Sequence, residues 1–303
     1  MKLSGSQKRQ LRTDLWGWAL ASPLLLGLLI FTMYPLVTSF VYSFFDVNMI
    51  RPMENFGIQN YRAIFTGDYS ADFFHSLKVT AVYSAIQVPL GLVLGYALAM
   101  FLNAACKGRG TFLILYYLPT LIPAVVSGAL WGDMMNQQYG FFNVLFHDVM
   151  GFDKIEFQSA KNLMASYIWM TTFNLGGGSI IWLSGLRGID TVYYEAATLD
   201  GAGGFQKFVR ITLPMSTPYI FYNLVMGIIG ALQLFNQPYI LTGGTGGDGN
   251  ALKTLNMFIY ETAFSGLRMG IAAAMAWVLC LLVAVLTGLT FLTNRWVYYA
   301  DEE

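Results

Sequence analysis

The sequence predicts an all-α, polytopic membrane protein with six transmembrane helices. Of its 303 residues, 56% are hydrophobic and only 11% are charged, and six long runs carry no charged residue. Globular domains usually carry about 25% charged residues, so this composition leaves too few charges to cover a soluble surface. Runs of about 20 apolar residues are long enough to cross the ~30 Å hydrocarbon core as a helix.

Each charge-free run is interpreted as one membrane-spanning helix, because a helix satisfies its own backbone hydrogen bonds in lipid. The fifth helix is expected over about residues 214–241. Residues that can disturb a helix lie in the first four runs, namely Pro35, Pro89, Pro119, Pro123 and the glycines at 176–178. The first run is about twice as long as the ~7–15-residue apolar region of a secretory signal, so we expect it to be retained as a helix. The runs are residues 15–45, 79–106, 111–132, 162–186, 211–247 and 269–294.

The distribution of basic residues predicts the orientation of these helices. Residues 1–14 are interpreted as a cytoplasmic N-terminal segment, and residues 15–303 as a single transmembrane domain. With both termini in the cytoplasm, ten of the 17 Lys and Arg residues lie inside and seven lie outside. The inner segments are also much shorter in total, so their positive charge is denser. The positive-inside rule therefore favours cytoplasmic termini.

Charge and motif content exclude several classes of function. No charged residue lies at the centre of a run, whereas ion-coupled transporters commonly keep one there. We therefore expect either a neutral cargo or a transport process whose energy comes from another subunit. Equal numbers of basic and acidic residues give no basic face for nucleic acid. His75 and His147 have no partner at metal-ligand spacing, and no phosphate-binding Gly-x-x-x-x-Gly-Lys-[Ser/Thr] occurs, so no metal, cofactor or ATP site is assigned. Cys106 and Cys280 are interpreted as small buried hydrophobic residues.

The longest predicted cytoplasmic loop, residues 187–213, carries the most specific pattern. Asp190 or Thr191 can cap the N-terminus of a helix, and Gly201 permits a sharp turn. A second short helix is expected over residues 205–210, before Pro214 begins the fifth span. Residue types alone predict a short, L-shaped, exposed element that could equally be a mere connector.

The specific amino-acid sequence of this loop is more informative than the general residue types. Together they resemble the EAA loop of ABC importer permeases, and more narrowly the carbohydrate-type permeases related to the maltose and glycerol-3-phosphate systems. We call residues 187–213 the EAA-like loop. Similar segments lie at residues 56–65, 241–244, 259–274 and 295–299, the last resembling the first-type partner of the usual permease pair. The matching residues are Tyr194, Glu195, Ala196, Ala197, Asp200, Gly201 and Ala202 in the loop, and Pro214 directly after it.

This resemblance implies a type I ABC importer permease fold with a cytoplasmic EAA coupling helix, and a transport subunit that is not an enzyme. The implied partners are a second homologous permease, two ATP-binding cassette ATPase subunits that hydrolyse ATP, and an extracytoplasmic solute-binding protein. The implied cargo is a sugar or oligosaccharide, and the implied location is the lipid of the bacterial cytoplasmic (inner) membrane. The matching loop residues would contact the ATPase. Glu195 would make a charge-assisted contact, either with the ATPase or within the loop.

The resemblance also indicates a cargo path, since the fourth and fifth spans line the central cavity in that family. Each position indicated here could instead serve interhelical packing. Six positions follow from their distance to the EAA-like loop, and Gln233 and Asn236 add amide groups. The eight predicted path residues are Met170, Phe173, Asn174, Gly177, Gly230, Gln233, Leu234 and Asn236.

Two other classes of protein were weighed against an importer subunit. A self-sufficient secondary transporter or facilitator for a small polar solute would be supported by inverted repeats or charges at the membrane midplane, and neither is evident. An intramembrane enzyme would need a Ser/His pair, a metal-ligand cluster or paired carboxylates within the membrane, and none is found in the sequence. The EAA-like loop distinguishes the importer subunit from both.

Overall fold

The secondary structure is helical, in agreement with the predicted all-α class. The computed structural model describes residues 5–48, 50, 53–103, 109–173 and 176–298. Within these ranges the only β pairing consists of two isolated bridges, Asp46 with Glu54 and Asn48 with Arg268. Cys106 and Asn174, named above, lie outside the described residues.

The described residues form sixteen α-helices, numbered here in chain order. The first eight are α1 (Gly5–Leu28), α2 (Tyr34–Tyr42), α3 (Gln59–Thr66), α4 (Ser70–Asn103), α5 (Arg109–Tyr117), α6 (Ala124–Met134), α7 (Phe141–Asn143) and α8 (Leu163–Thr172). The other eight are α9 (Gly176–Arg187), α10 (Thr191–Leu199), α11 (Gly204–Lys207), α12 (Leu213–Met215), α13 (Thr217–Leu232), α14 (Asn236–Leu241), α15 (Leu255–Tyr260) and α16 (Met269–Leu292). Helix α1 continues through the predicted boundary between residues 14 and 15.

Four helical stretches in the described part of the chain are long and apolar enough to cross a membrane. They coincide with the first, second, fifth and sixth predicted runs. The fourth run is divided between α8 and α9, neither of which is long enough alone. Six spans therefore remain a prediction. The four stretches are Thr13–Tyr42, Ser70–Asn103, Thr217–Leu241 and Met269–Leu292.

The third run forms a bent pair of helices that makes a fifth span if both helices belong to one crossing. Residues 110–121 and 124–134 meet at an angle of 99°. Pro123 precedes α6, and Ile122 before it is extended, with ψ of 124°. This is the conformation that a following proline imposes on its neighbour. The break therefore lies where Pro119 and Pro123 predicted a disturbance. Pro35 lies in the first turn of α2, whereas Pro89 lies inside the continuous helix α4 and does not end it.

The chain divides into two compact units, the first comprising Met1–Asp68 and Glu261–Trp277. In this unit the Nδ2 of buried Asn60 donates to the carbonyls of Ser43 and Phe45 at 2.9 and 2.8 Å. A Cβ on Gly270 would collide with the Phe45 carbonyl oxygen, so this close approach requires glycine. Asn60 thus fixes the turn that follows α2.

The second unit comprises Tyr69–Tyr260 and Val278–Glu303 and holds α4 against α9 and α13. Its largest described core cluster surrounds the fully buried Tyr167. A long-range bond adds to this packing, because the backbone N–H of Leu255 donates to the buried Thr80 hydroxyl at 2.9 Å. Cys280 is exposed on α16, so the prediction that it is buried is wrong for this chain. The outer face of an apolar helix can leave a small thiol uncovered.

Candidate functional site

The EAA-like loop begins with a capped helix. Asp190 is extended, and its Oδ1 accepts a hydrogen bond from the backbone N–H of Val192 at 3.0 Å. This bond satisfies one of the backbone donors that the first turn of a helix leaves without an intrahelical partner. The negative carboxylate also interacts favourably with the positive end of the helix dipole. The predicted cap is therefore confirmed at Asp190, and α10 begins at Thr191.

The same helix ends in a turn that requires glycine. Gly201 has φ of +79°, its N–H donates to the Thr198 carbonyl at 3.0 Å, and the N–H of Ala202 donates to the Ala197 carbonyl at 2.9 Å. These two bonds form a Schellman motif, in which glycine adopts the left-handed conformation at low cost. The sharp turn expected at Gly201 is therefore present.

Side-chain bonds hold the two arms of the loop together. The hydroxyls of Tyr194 and Thr212 lie 3.0 Å apart, and Thr212 is buried. The Nζ of Lys207 donates to the Thr198 hydroxyl at 2.7 Å, and that hydroxyl donates to the Tyr194 carbonyl. Helix α11 and the π-helical turn Phe208–Thr212 replace the single second helix expected over residues 205–210. Pro214 lies in the first turn of α12, as its residue type predicts.

Large apolar side chains of the loop point away from the rest of the chain. Leu199 is 91% exposed and Phe205 is 79% exposed, while Val192 and Tyr193 are also exposed. Glu195 is also exposed. Several exposed apolar side chains on one short, hydrogen-bonded element are typical of an interaction surface. The loop is therefore suited to burying these side chains against another protein.

The structure distributes the predicted path residues over different environments. Met170 is 2% exposed and belongs to the core cluster around Tyr167, so it faces no open space in this chain. Phe173 is 54% exposed and its ring centroid lies 5.4 Å from that of Trp131. Leu234 is partly buried, and its carbonyl accepts a hydrogen bond from the Thr254 hydroxyl at 2.9 Å.

The remaining path residues lie on α9, on α13 and just beyond the end of α13. Gly177 is in α9, whereas Gln233 and Asn236 are exposed where α13 ends and α14 begins. Gly230 lines a cavity of about 290 Å³ between α4, α9 and α13. The structure thus brings Gly230 together with residues of α4 that the path prediction did not include.

Sequence reasoning missed the polar side chains of this cavity. Gln87 of α4, Trp182 of α9 and Asn223 of α13 all line it. Their positions within apolar runs were the available indication, since an amide in a membrane helix usually has a hydrogen-bonding role. In the described part of the chain, no group of three His, Cys, Asp or Glu residues is placed to hold a metal ion.

Comparison with known proteins places this geometry in a family. Residues 87–298 match the family described as binding-protein-dependent transport system inner membrane component. The chain is 35% identical over 302 residues to the probable ABC transporter permease protein YesP of Bacillus subtilis, covering 98% of this chain and 96% of that protein. It is 30% identical over 262 residues to the trehalose/maltose transport system permease protein MalF of Thermococcus litoralis, covering 84% and 86%.

A solved structure has the same fold. A chain of a bacterial alginate ABC transporter, crystallised in complex with an alginate pentasaccharide-bound periplasmic protein, superposes with a TM-score of 0.82. The alignment covers 95% of this chain and 96% of that chain at 22% sequence identity. The fold is therefore that of a type I ABC importer permease.

Proposed function

Because this chain belongs to the family of binding-protein-dependent transport system inner membrane components, among the carbohydrate ABC transporter permeases, we propose that it forms half of the translocation path of an ATP-driven importer. Its cargo is a sugar or oligosaccharide delivered by an extracytoplasmic binding protein. Relatives named for trehalose and maltose, for lactose and for starch degradation products support a carbohydrate cargo.

The EAA-like loop is the observation that carries this proposal. Its capped, cross-bonded helices leave Leu199 and Phe205 exposed, and a separate chain can bury them. Burying a large apolar side chain contributes about 1.5–3 kcal/mol. We therefore assign the loop as the surface that receives movement from the ATPase, with Tyr194, Glu195, Ala196, Ala197, Asp200, Gly201, Ala202 and Pro214 as its matching residues.

The complete importer in this proposal contains four kinds of subunit. A second homologous permease completes the path, two ATPase subunits bind the EAA-like loops from the cytoplasm, and a solute-binding protein docks outside. The chain crosses the cytoplasmic membrane six times with both termini inside, so the loop faces the ATPase. The absence of a phosphate-binding Gly-x-x-x-x-Gly-Lys-[Ser/Thr] motif from the sequence supports ATP hydrolysis by a separate subunit.

Affinity purification of the chain from its native membrane in mild detergent, followed by mass spectrometry, tests the proposal. We expect a second permease and an ATPase to be recovered with it. Reconstituted vesicles should then take up the sugar held by the binding protein only when ATP is supplied on the loop side. Recovery of the chain alone, together with uptake that does not need ATP, would instead identify a self-sufficient transporter.

A further inference from the structure

An apolar groove of about 500 Å³ lies between α4, α13 and α16, on the side of α4 and α13 where α16 approaches them. These helices belong to three of the stretches that are long and apolar enough to cross a membrane. All of the lining residues belong to the second unit, and none of those described is charged. The groove therefore opens between membrane helices and offers an occupant almost entirely hydrocarbon surface.

The three hydroxyl groups in the lining already donate within their own helices. Ser84 donates to the carbonyl four positions earlier at 2.8 Å, Thr290 to the carbonyl three positions earlier at 2.6 Å, and Thr293 to the carbonyl four positions earlier at 2.9 Å. Each hydroxyl carries a single proton, so none of the three has one left for a ligand. The groove is therefore suited to an occupant without polar groups.

The dimensions of the groove fit a hydrocarbon chain and not a helix. Its lining extends from Leu77 to Pro89 on α4 and from Leu282 to Thr293 on α16 and its end, which is about 17 Å of helix in each case. This length is about half of the ~30 Å hydrocarbon core, the depth of one leaflet. Spread over that length, the volume corresponds to a width of about 6 Å, whereas a helix with its side chains is about 10–12 Å across.

One end of the groove lies beside residue types that are common at the membrane surface. On the α16 side the lining ends at Thr293, and the exposed residues Arg295 and Trp296 follow. Arginine and tryptophan are favoured where a helix leaves the hydrocarbon, because an apolar body or stem stays in the lipid while the polar end reaches the headgroups. A lipid that entered from this end could keep its headgroup at the surface.

We propose that this groove binds one acyl chain of a membrane phospholipid. The small side chains of Ala81, Ser84 and Ala85 on α4 leave the space that the chain fills. Val88 lines both this groove and the cavity of about 290 Å³ around Gln87, so the bound chain supports one wall of that cavity. The assignment requires only that the protein lies in a membrane, and it is independent of the cargo and of ATP.

Photocrosslinking of the whole importer in lipid vesicles tests the groove. The probe is a phosphatidylethanolamine with a diazirine at the middle of one acyl chain, and mass spectrometry locates the labelled residues. We expect the groove lining to be labelled severalfold more than Leu281, which is 60% exposed on α16 and is not part of the lining. Equal labelling of the two would mean ordinary boundary lipid and would overturn the proposal.

A pair of matched variants tests the same site. Ala85→Phe places a ring in the groove and should lower labelling of the α16 lining severalfold, whereas Ala284→Phe, at an exposed position outside the lining, should not. Equal labelling of the α16 lining in the two variants would contradict the site. If Ala85→Phe fails to fold, the comparison within the unaltered chain still decides the question.

The assembled importer must also be compared with the isolated chain in lipid nanodiscs. A lipid site should be labelled in both. Labelling of the groove in the isolated chain alone would show that another subunit fills it in the importer, and would overturn the proposal. None of these measurements needs the cargo or ATP hydrolysis, so the proposed function can fail separately.

Discussion

The hydroxyl oxygen of Thr217 accepts a hydrogen bond from the backbone N–H of Tyr298 at 2.8 Å. The same hydroxyl donates to the carbonyl of Pro214 at 2.6 Å. One buried side chain therefore joins the C-terminal segment to Pro214, the residue that directly follows the EAA-like loop. We therefore expect a displacement of the loop end to disturb the segment around Tyr298.

Replacing Thr217 by Val should loosen this connection. The variant keeps the side-chain shape and removes both bonds of the hydroxyl. The bond from the Tyr298 N–H is worth about 1 kcal/mol, so this amide should exchange its hydrogen roughly fivefold faster. Hydrogen-exchange mass spectrometry of the C-terminal peptide measures this rate. Thr38→Val, which removes only a local bond to the Tyr34 carbonyl, is the matched control. Equal exchange in both variants would contradict the connection.

Gly201→Pro should uncouple ATP hydrolysis from transport. Proline cannot adopt the φ of +79° found at Gly201, and it lacks the N–H that donates to the Thr198 carbonyl. In the reconstituted importer, ATP hydrolysis should continue while sugar uptake falls to background, with the chain still inserted. Gly203→Ala is the control, because Gly203 has φ of −71° and free space around its Cβ position. Normal uptake by Gly201→Pro would argue against a coupling role.

The exposed side chains Leu199 and Phe205 should contribute to ATPase binding and little to folding. Each change to Ser should weaken association by about 2 kcal/mol, or roughly 30-fold in Kd, because a buried apolar contact is lost. The free energy of unfolding of the isolated chain should change by less than about 0.5 kcal/mol, since both side chains are exposed in it. Titration of the purified ATPase onto the permease measures the first effect. Tyr139→Ser, at a residue that is 63% exposed outside the loop, should leave binding unchanged.

Thr80→Val should lower the thermal stability of the second unit. The Thr80 hydroxyl is buried and accepts from the Leu255 N–H, which would lose its partner in a site closed to water. An unsatisfied buried donor costs about 1–3 kcal/mol, and this cost should appear as a lower unfolding temperature in detergent. Thr66→Val removes an exposed local bond instead and should change the temperature little. A similar decrease in both variants would mean that the long-range bond contributes no more stability than an exposed local bond.

Local features of the EAA-like loop could be predicted from the sequence because short-range chemistry determines them. The carboxylate of Asp190 can cap only the helix that starts beside it, and the conformation of Gly201 follows from its missing Cβ. The cargo-path residues are different. Counting along the chain selects Met170, but its side chain packs in the core, because the direction in which a helix faces depends on its neighbours.

The cavity around Gln87 shows a second limit of sequence reasoning. Gln87 and Asn223 belong to helices that are far apart in the chain, and only tertiary packing brings their amides to the same space. In the same way, Pro119 and Pro123 predict a disturbed third helix but not its 99° bend. Proline removes backbone donors, whereas the resulting angle depends on what packs on either side.

The 99° bend also limits which side of the third run can face lipid. Around Ile122 the backbone leaves the helical conformation, and if this pair crosses the membrane the segment lies where lipid offers no hydrogen bonds. Exposing such peptide groups to acyl chains costs several kcal/mol for each unsatisfied group. The peptides between Pro119 and Pro123 therefore have to face protein or water. In such a crossing, the two prolines would specify which side of the helix pair faces away from lipid, without any charged residue.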